Sequence, residues 1–278
     1  MAINPEVVGK KIEGEPFAYD EDTVILYALG IGAGLDEINF IYEKDLKVFP
    51  TFAVIPFMPS LIPLATEANL NMFTVLHGEQ KIILHKEIPT KGSLISTAVC
   101  SSVYDKGDKG AIVNMEIESR DENGELLFEN KAVVFDRSGG NFGGDRGPKV
   151  EKVEPPEGKN PDFSVSYTTS PDQAALYRLS GDKNPLHIDP EFAKMGGFDK
   201  PILHGLCTYG HAGRAVLHSV CDGDPARFKS FGVRFTGVVF PGETLITEGW
   251  KAETGKYIIQ TKAQDGRVVL GNGLAEVN

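Results

Sequence analysis

The sequence predicts an α+β protein made of two tandem units, each a curved antiparallel sheet wrapped on a central helix. Three observations carry that expectation. The chain repeats itself at an offset of about 150 residues, which marks a duplicated unit. Each half runs from helical signals into strands, and a Gly-, Pro- and charge-rich stretch separates the halves. The expected organisation is a first unit over 1–137, a linker over 138–160 and a second unit over 161–278.

The repeat is read from three matches in the same order. "ILYALGIG" (25–32) lies over "ALYRLSGD" (175–182), and "VFPTF" (48–52) over "DKPIL" (199–203) with Pro50 against Pro201. "TKGSLIST" (90–97) lies over "FPGETLIT" (240–247), with Gly92 against Gly242. In the second half, Ser170-Pro171-Asp172-Gln173 reads as a helix start with a capping box, and Gly181 ends that helix. A short helix is expected from Asp189-Pro190 to Gly196-Gly197. "ILHGLCTYGHAGRAVLHSV" (202–220) reads as a long, mostly apolar helix that must be buried. Strands are expected over 228–240, 242–253, 256–264 and 267–277, with hairpin turns at Glu253-Thr254-Gly255 and Gln264-Asp265-Gly266. The first half offers strands near 79–88, 92–104, 109–121 and 125–136.

Composition narrows the function. A 41% hydrophobic and 24% charged composition is that of a globular protein with material for a core. No run of about 18 apolar residues occurs, so no membrane span is expected. The start lacks the apolar middle of a secretory signal, and the end shows no sorting tripeptide. Cys100, Cys207 and Cys221 are too few and scattered for a disulfide framework, which fits a reducing compartment. A net charge of −11 argues against a general nucleic-acid binder. "GIGAG" (30–34) has Leu35 where a dinucleotide fingerprint needs glycine, and no G-x-S-x-G occurs.

One loop stands out. In "LSGDKNPLHIDP" (179–190), Gly181 and Asn184-Pro185 hold the backbone out of helix, so Asp182 and His187 can face one point. A carboxylate and an imidazole that converge can hold a water, deprotonate it and return a proton. Taken alone, the plainer interpretation is a capped turn with a packed histidine. Gly205 weighs against it. It stands in the first turn of the long helix, where N–H groups lack partners and face the positive end of the dipole. That arrangement suits an oxyanion on a carbonyl substrate, although glycine there also permits close packing. At the repeat offset Asp182 falls on Gly32 and His187 on Glu37, so only the second half carries the pair. Asp182, His187 and His204 match no common metal-ligand spacing, and His204 suits a helix cap or a packing position equally.

The segment 175–210, with "VLHGEQ" (75–80), "DKGDKG" (105–110) and "GGNFGG" (139–144), resembles the (R)-specific 2-enoyl-CoA hydratases, or hydratase 2, of the MaoC-like hot-dog proteins. The resemblance covers essentially the whole chain, and its two-copy length is similar to the hydratase region of peroxisomal multifunctional enzymes. It implies two tandem hot-dog repeats and syn addition of water to trans-2-enoyl-CoA, giving (3R)-3-hydroxyacyl-CoA in β-oxidation. Carried over by position, Asp182 and His187 hold and activate the water, Asn184 shapes their loop, and the Gly205 N–H binds the thioester oxygen. CoA contacts are implied for His77, Gly78 and Lys106, and for Lys183, Pro185, Leu186, Arg234 and Phe235. The first half, having lost the pair, would accommodate long or branched acyl chains. The resemblance further implies no metal or redox cofactor, a homodimer, fusion to (R)-3-hydroxyacyl-CoA dehydrogenase domains and a peroxisomal location. The glycines of 139–144 are expected to serve chain flexibility instead of phosphate binding. Two alternatives use the same residues: a hot-dog acyl-CoA thioesterase, with water directed at the carbonyl carbon, and a non-catalytic acyl-CoA binding module.

Overall fold

The computed structural model describes residues 3–72, 74–149 and 151–278; Met1, Ala2, Phe73 and Val150, the last within the expected linker, lie outside them. The first half contains β1 (Lys11–Glu13), β2 (Phe17–Tyr19), α1 (Glu21–Gly30), α2 (Met58–Glu67), β3 (Val75–Leu84), β4 (Gly92–Asp105), β5 (Ala111–Arg120) and β6 (Leu126–Asp136). The second contains β7 (Phe163–Thr168), α3 (Gln173–Tyr177), α4 (Pro190–Met195), α5 (Gly205–Val220), β8 (Phe228–Phe235), β9 (Thr244–Glu253), β10 (Lys256–Ala263) and β11 (Val268–Val277). The strands alternate as half-buried sheets require: β5 turns Ala111, Val113, Met115 and Ile117 inward, and Glu116 and Glu118 outward.

The two halves repeat one strand order. β2-β4-β5-β6-β3 in the first corresponds to β7-β9-β10-β11-β8 in the second, with β1 added on β4. β3 and β8 pair antiparallel from Glu79–Arg234 to Ile83–Ser230, so the halves fuse into one 11-stranded sheet. The short strands β1, β2 and β7 lie outside the expected set. The helices of the repeat also meet. Tyr27 of α1 and Tyr177 of α3 lie 6.1 Å apart between ring centroids, and Gln173 Nε2 donates to the Leu29 and Gly30 carbonyls at the end of α1. The expected capping box is half formed: Gln173 Oε1 accepts from the Ser170 N–H, while the Ser170 hydroxyl takes the Asp172 N–H and the helix itself starts at Gln173.

α5 is the long buried helix expected, and it begins at Gly205 because residues 201–204 run extended into it. Every residue from Leu206 to Leu217 is buried. The first half does not repeat it. The equivalent stretch is a 3₁₀ turn, Pro50–Val54, followed by α2 with Pro63 inside it. Pro50, Pro56, Pro59 and Pro63 each remove a backbone donor, so a continuous 16-residue helix cannot form there. The central helix of the first half is therefore the shorter α2, which packs on β4 and β1. α5 packs on β7, β8, β9 and β11 of its own half, and its glycines let the first half approach: a Cβ on Gly210 would lie 2.3 Å from Ile31, and one on Gly213 would lie 2.4 Å from Thr51.

The segment between the halves is docked, not free. Asp145 O accepts from Asp105 N–H, Asn272 Oδ1 from Val153 N–H, and Lys159 O from Trp250 Nε1. The glycines of 139–144 correct the flexibility expectation as well. A Cβ on Gly140 would lie 2.0 Å from Gly107 O, so glycine is needed for close backbone approach. The N–H groups of Gly107, Asn141 and Gly143 point at the Asp105 carboxylate, which takes the place an external anion would have. Gly140→Ala is expected to cost about 1–3 kcal/mol by overpacking. Urea unfolding measures it, and an unchanged midpoint would contradict this packing.

Candidate active site

The loop after α3 is built from its own polar side chains. Gly181 takes a φ of 137°, which turns the chain out of the preceding helix. Asp182 Oδ1 accepts from the Asn184 N–H at 3.0 Å, and Asn184 Oδ1 accepts from the Leu186 N–H at 3.1 Å. Pro185 then opens a 3₁₀ turn, Pro185–His187, and Asp189 caps α4. Asn184 thus holds the turn at Leu186. Lys183 and Pro185 face solvent, and Leu186 is half-buried against Gly196.

His187 is 8% exposed, and its Nδ1 lies 2.8 Å from the Ile202 carbonyl. A carbonyl only accepts, so Nδ1 carries the proton and Nε2 presents a lone pair. That lone pair faces Asp182 Oδ2 at 4.0 Å. Burial pushes the His187 pKa down, with the Asp182 charge and the Ile202 carbonyl opposing it, and the ring stays neutral at ordinary pH. Two acceptors facing each other cannot bond directly. A molecule with two donors, placed about 2.8 Å from each, subtends about 90° between them, which is close to what a water allows. His204 stacks on His187 with ring centroids 3.7 Å apart, and its Nε2–H donates to the Asp182 carbonyl at 3.1 Å.

The helix start lies one residue further on. The His204 side chain makes no capping bond, and its carbonyl takes the Cys207 and Thr208 N–H groups. The N–H groups of Gly205 and Leu206 have no protein acceptor among the described residues. A Cβ on Gly205 would lie 3.2 Å from the Phe235 ring, so packing and ligand access both favour glycine there. Phe235 in turn lies 5.0 Å from His77, ring to ring, and the Asp182 charge is felt at His77. His77, Gly205, Phe235 and the loop therefore belong to one cluster.

The remaining sequence candidates lie on the other face of the sheet. Successive residues of a strand point to opposite faces, so Arg234 faces away from Phe235. With Lys106, Lys81 and Lys131 it lines a groove of about 500 Å³ between the sheet and Pro148 of the connecting segment. Arg234 is paired with Glu79 at 2.5 Å, and Lys106 donates to Arg146 O, so neither charge is wholly free. Gly78 sits at an irregularity of the sheet. β3 has a register shift between His77 and Glu79, and pairing of β3 with β8 stops at Glu79–Arg234.

Asp182, His187 and His204 bring ligand-type atoms within 4.8 Å of one another. Two stacked rings direct their in-plane lone pairs side by side, not to a shared point. His187 Nδ1 and His204 Nε2 are also committed to carbonyls. The set suits a bridged water better than a tetrahedral ion.

The same loop in the first half is closed by an ion pair. Gly32 takes the place of Asp182, and a Cβ there would lie 2.8 Å from His211 Nε2. Glu37 takes the place of His187. Its carboxylate bonds to Arg214 through Nε at 3.2 Å and through a second, shorter contact, and to His218 at 2.6 Å. Arg214 also donates to Ile31 O and lies 4.1 Å from the Tyr167 ring centroid. Burial alone would raise the Glu37 pKa, but the bonds from His218 and Arg214 outweigh it and hold the carboxyl below its usual range. Arg214 and His218 were not among the sequence candidates. An arginine inside an otherwise apolar helix was the available signal, since buried charges need partners.

Fold and site together define a double hot-dog protein with an Asp/His pair beside a helix start. Residues 152–272 match the MaoC like domain, and residues 17–138 match the MFE-2 hydratase 2 N-terminal domain. The chain belongs to the MaoC-like hydratase 2 family. It is 41% identical to a probable enoyl-CoA hydratase 2 of Dictyostelium discoideum, over 97% of this chain and 95% of that one. It is 42% identical to the peroxisomal multifunctional enzyme type 2 of Drosophila melanogaster, over 98% of this chain but 49% of the relative, so it spans about half that length. The crystal structure of a MaoC-like dehydratase from Phytophthora capsici superposes with a TM-score of 0.88 at 33% identity, covering 99% and 98% of the two chains.

Glu37→Gln leaves Arg214 buried without its counter-charge, and an expected loss of about 3–5 kcal/mol follows. Urea unfolding of the variant checks it; a loss under about 1 kcal/mol, the size of an exposed pair, would contradict the closed-loop account.

Proposed function

We propose that this protein adds water across the double bond of trans-2-enoyl-CoA thioesters to give (3R)-3-hydroxyacyl-CoA in fatty-acid β-oxidation. One observation carries this most directly. The Asp182 and His187 acceptors are 4.0 Å apart, beside a helix start whose first N–H groups have no acceptor among the described residues.

Held by both acceptors, a water directs its oxygen lone pairs away from the loop, toward C3 of the substrate. As the O–C3 bond forms, His187 Nε2 takes a water proton and the double-bond electrons move onto the thioester oxygen. The Gly205 N–H stabilises that oxygen as its charge develops. When the enolate collapses, C2 takes a proton from the Asp182/His187 pair, which returns to its starting state. One loop supplies both the OH and the H, which favours syn addition. No metal or redox step enters the reaction.

For the CoA moiety, we place the phosphates in the outer groove with Lys106 and Arg234, and the thioester on the inner face. The early end of the β3–β8 pairing at Glu79 supports a passage there, beside Gly78, His77 and Phe235. Local cations can serve an anion even in a chain of net charge −11. Lys183, Pro185 and Leu186 would flank the thioester from the loop. The first half, with its loop closed by Glu37, serves the acyl chain. The Drosophila relative's name supports a peroxisomal location, and its greater length supports attachment of (R)-3-hydroxyacyl-CoA dehydrogenase domains in at least some forms; a homodimer completes the proposal.

Asp182→Ala and His187→Ala should each lower kcat by about 10²- to 10⁴-fold while the fold is retained. Chiral analysis of the product from trans-2-decenoyl-CoA should show the 3R alcohol. Release of free CoA without hydroxyacyl-CoA would instead indicate thioester hydrolysis, and undiminished activity in both variants would overturn the site. The pH profile is a separate check. The reacting form needs neutral His187, whose pKa lies below 6.5, so kcat/KM should hold as pH falls to 6.5 and decline only below it. An acid limb already falling at pH 7 contradicts this assignment.

A further inference from the structure

We infer that His204 is a positioning residue, which locks the Asp182–His187 pair in register with the Gly205 N–H. This rests on the hydratase proposal. His204 is 1% exposed and precedes the first residue of α5, yet its side chain does not cap the helix. It is turned back onto the loop. Nε2–H donates to the Asp182 carbonyl, one ring face lies on His187, and Tyr177 packs at 4.9 Å between ring centroids. Nδ1 is buried with no protein partner among the described residues. A single side chain therefore touches the residue carrying the carboxylate and the imidazole, and its own backbone leads directly into the oxyanion donor. Three groups from two separate segments are held to one spacing by it. Misplacement of reacting groups by about 1 Å can cost about 10²-fold in rate, so this contact has a measurable consequence.

The charge state supports the role. Burial pushes the His204 pKa down to about 4, with His187 lowering it further and the Asp182 charge opposing. The groups facing His204 are Asp182, His187, Tyr177 and Arg178; those facing His187 are Asp182, the Ile202 carbonyl and His204. A neutral ring covers His187 from water without adding a cation beside it. His187 thus keeps its lone pair, and an imidazolium formed on it during turnover meets a π-face.

Two substitutions separate the parts of this role. His204→Gln can keep a donor for the Asp182 carbonyl but removes the ring. His204→Phe keeps the ring and removes the donor. Both should lower kcat by about 10- to 100-fold with KM near that of the parent, since the CoA groove is untouched. Only His204→Gln should move the acid limb of kcat/KM upward toward pH 6.5, because His187 loses its cover. Parent-like kcat in either folded variant overturns the inference, as does an unmoved limb in His204→Gln. ¹⁵N NMR of the labelled histidines in the unaltered full chain gives an answer that does not depend on the variants folding. His204 should be the Nε2–H tautomer from pH 5 to 8; an Nδ1–H tautomer cannot donate to the Asp182 carbonyl and overturns the inference. Should the parent protein hydrate no enoyl-CoA, the hydratase proposal fails, while the tautomer and the His187 titration still report on the contact.

Discussion

The burial of one helix governs this molecule. α5 is buried from Leu206 to Leu217 between the sheet and the first half, so its polar groups must find partners away from water. At its start the N–H groups of Gly205 and Leu206 have no acceptor among the described residues, and His204 bends back to fix the loop beside them. In its middle, Arg214 can be buried only because Glu37 of the other half reaches it. Reactivity and cohesion are thus two answers to one requirement on the same helix.

The duplicated loop shows how small a change separates those answers. In the second half, Asp182 and His187 are both acceptors toward each other, and the gap between them invites a two-donor molecule. In the first half, Glu37 meets a permanent cation, which satisfies the carboxylate and closes the loop. Gly32 is part of that closure, since any side chain there would strike His211. An arginine fits where a water would otherwise be held because its guanidinium supplies fixed donors and never gives up its proton. The first-half site is silent for a chemical reason, with the backbone repeat preserved.

The sheet adds a division between faces. Phe235 and Arg234 are neighbours in sequence, yet the first belongs to the loop cluster and the second to the outer groove. The β3–β8 pairing ends at Glu79–Arg234, on the seam between the repeats. A long substrate with a charged end and a reacting end fits such a partition, the cations outside and the low-polarity cluster inside.

Much of this was legible in sequence because it is local. The strands from β3 to β6 and β8 to β11 follow alternation and turn glycines, α4 lies between Asp189 and Gly196 as read, and the D-x5-H loop announced itself through Gly181 and Asn184-Pro185. The failures were also physical. Prolines at 50, 56, 59 and 63 shorten the first half's central helix to α2, a length the repeat alone did not predict. The glycines of 139–144 proved to be close-contact positions, because flexibility and tight approach ask for the same residue. What the sequence determined by itself was the duplicated sheet and the residue types at the loop. That Glu37 would meet Arg214, that His204 would lie on His187, and that Lys106 would sit across the sheet from Asp182 was decided only by the tertiary structure. Such pairings depend on which segments a shared helix and a fused sheet bring together, and no spacing along the chain encodes that distance.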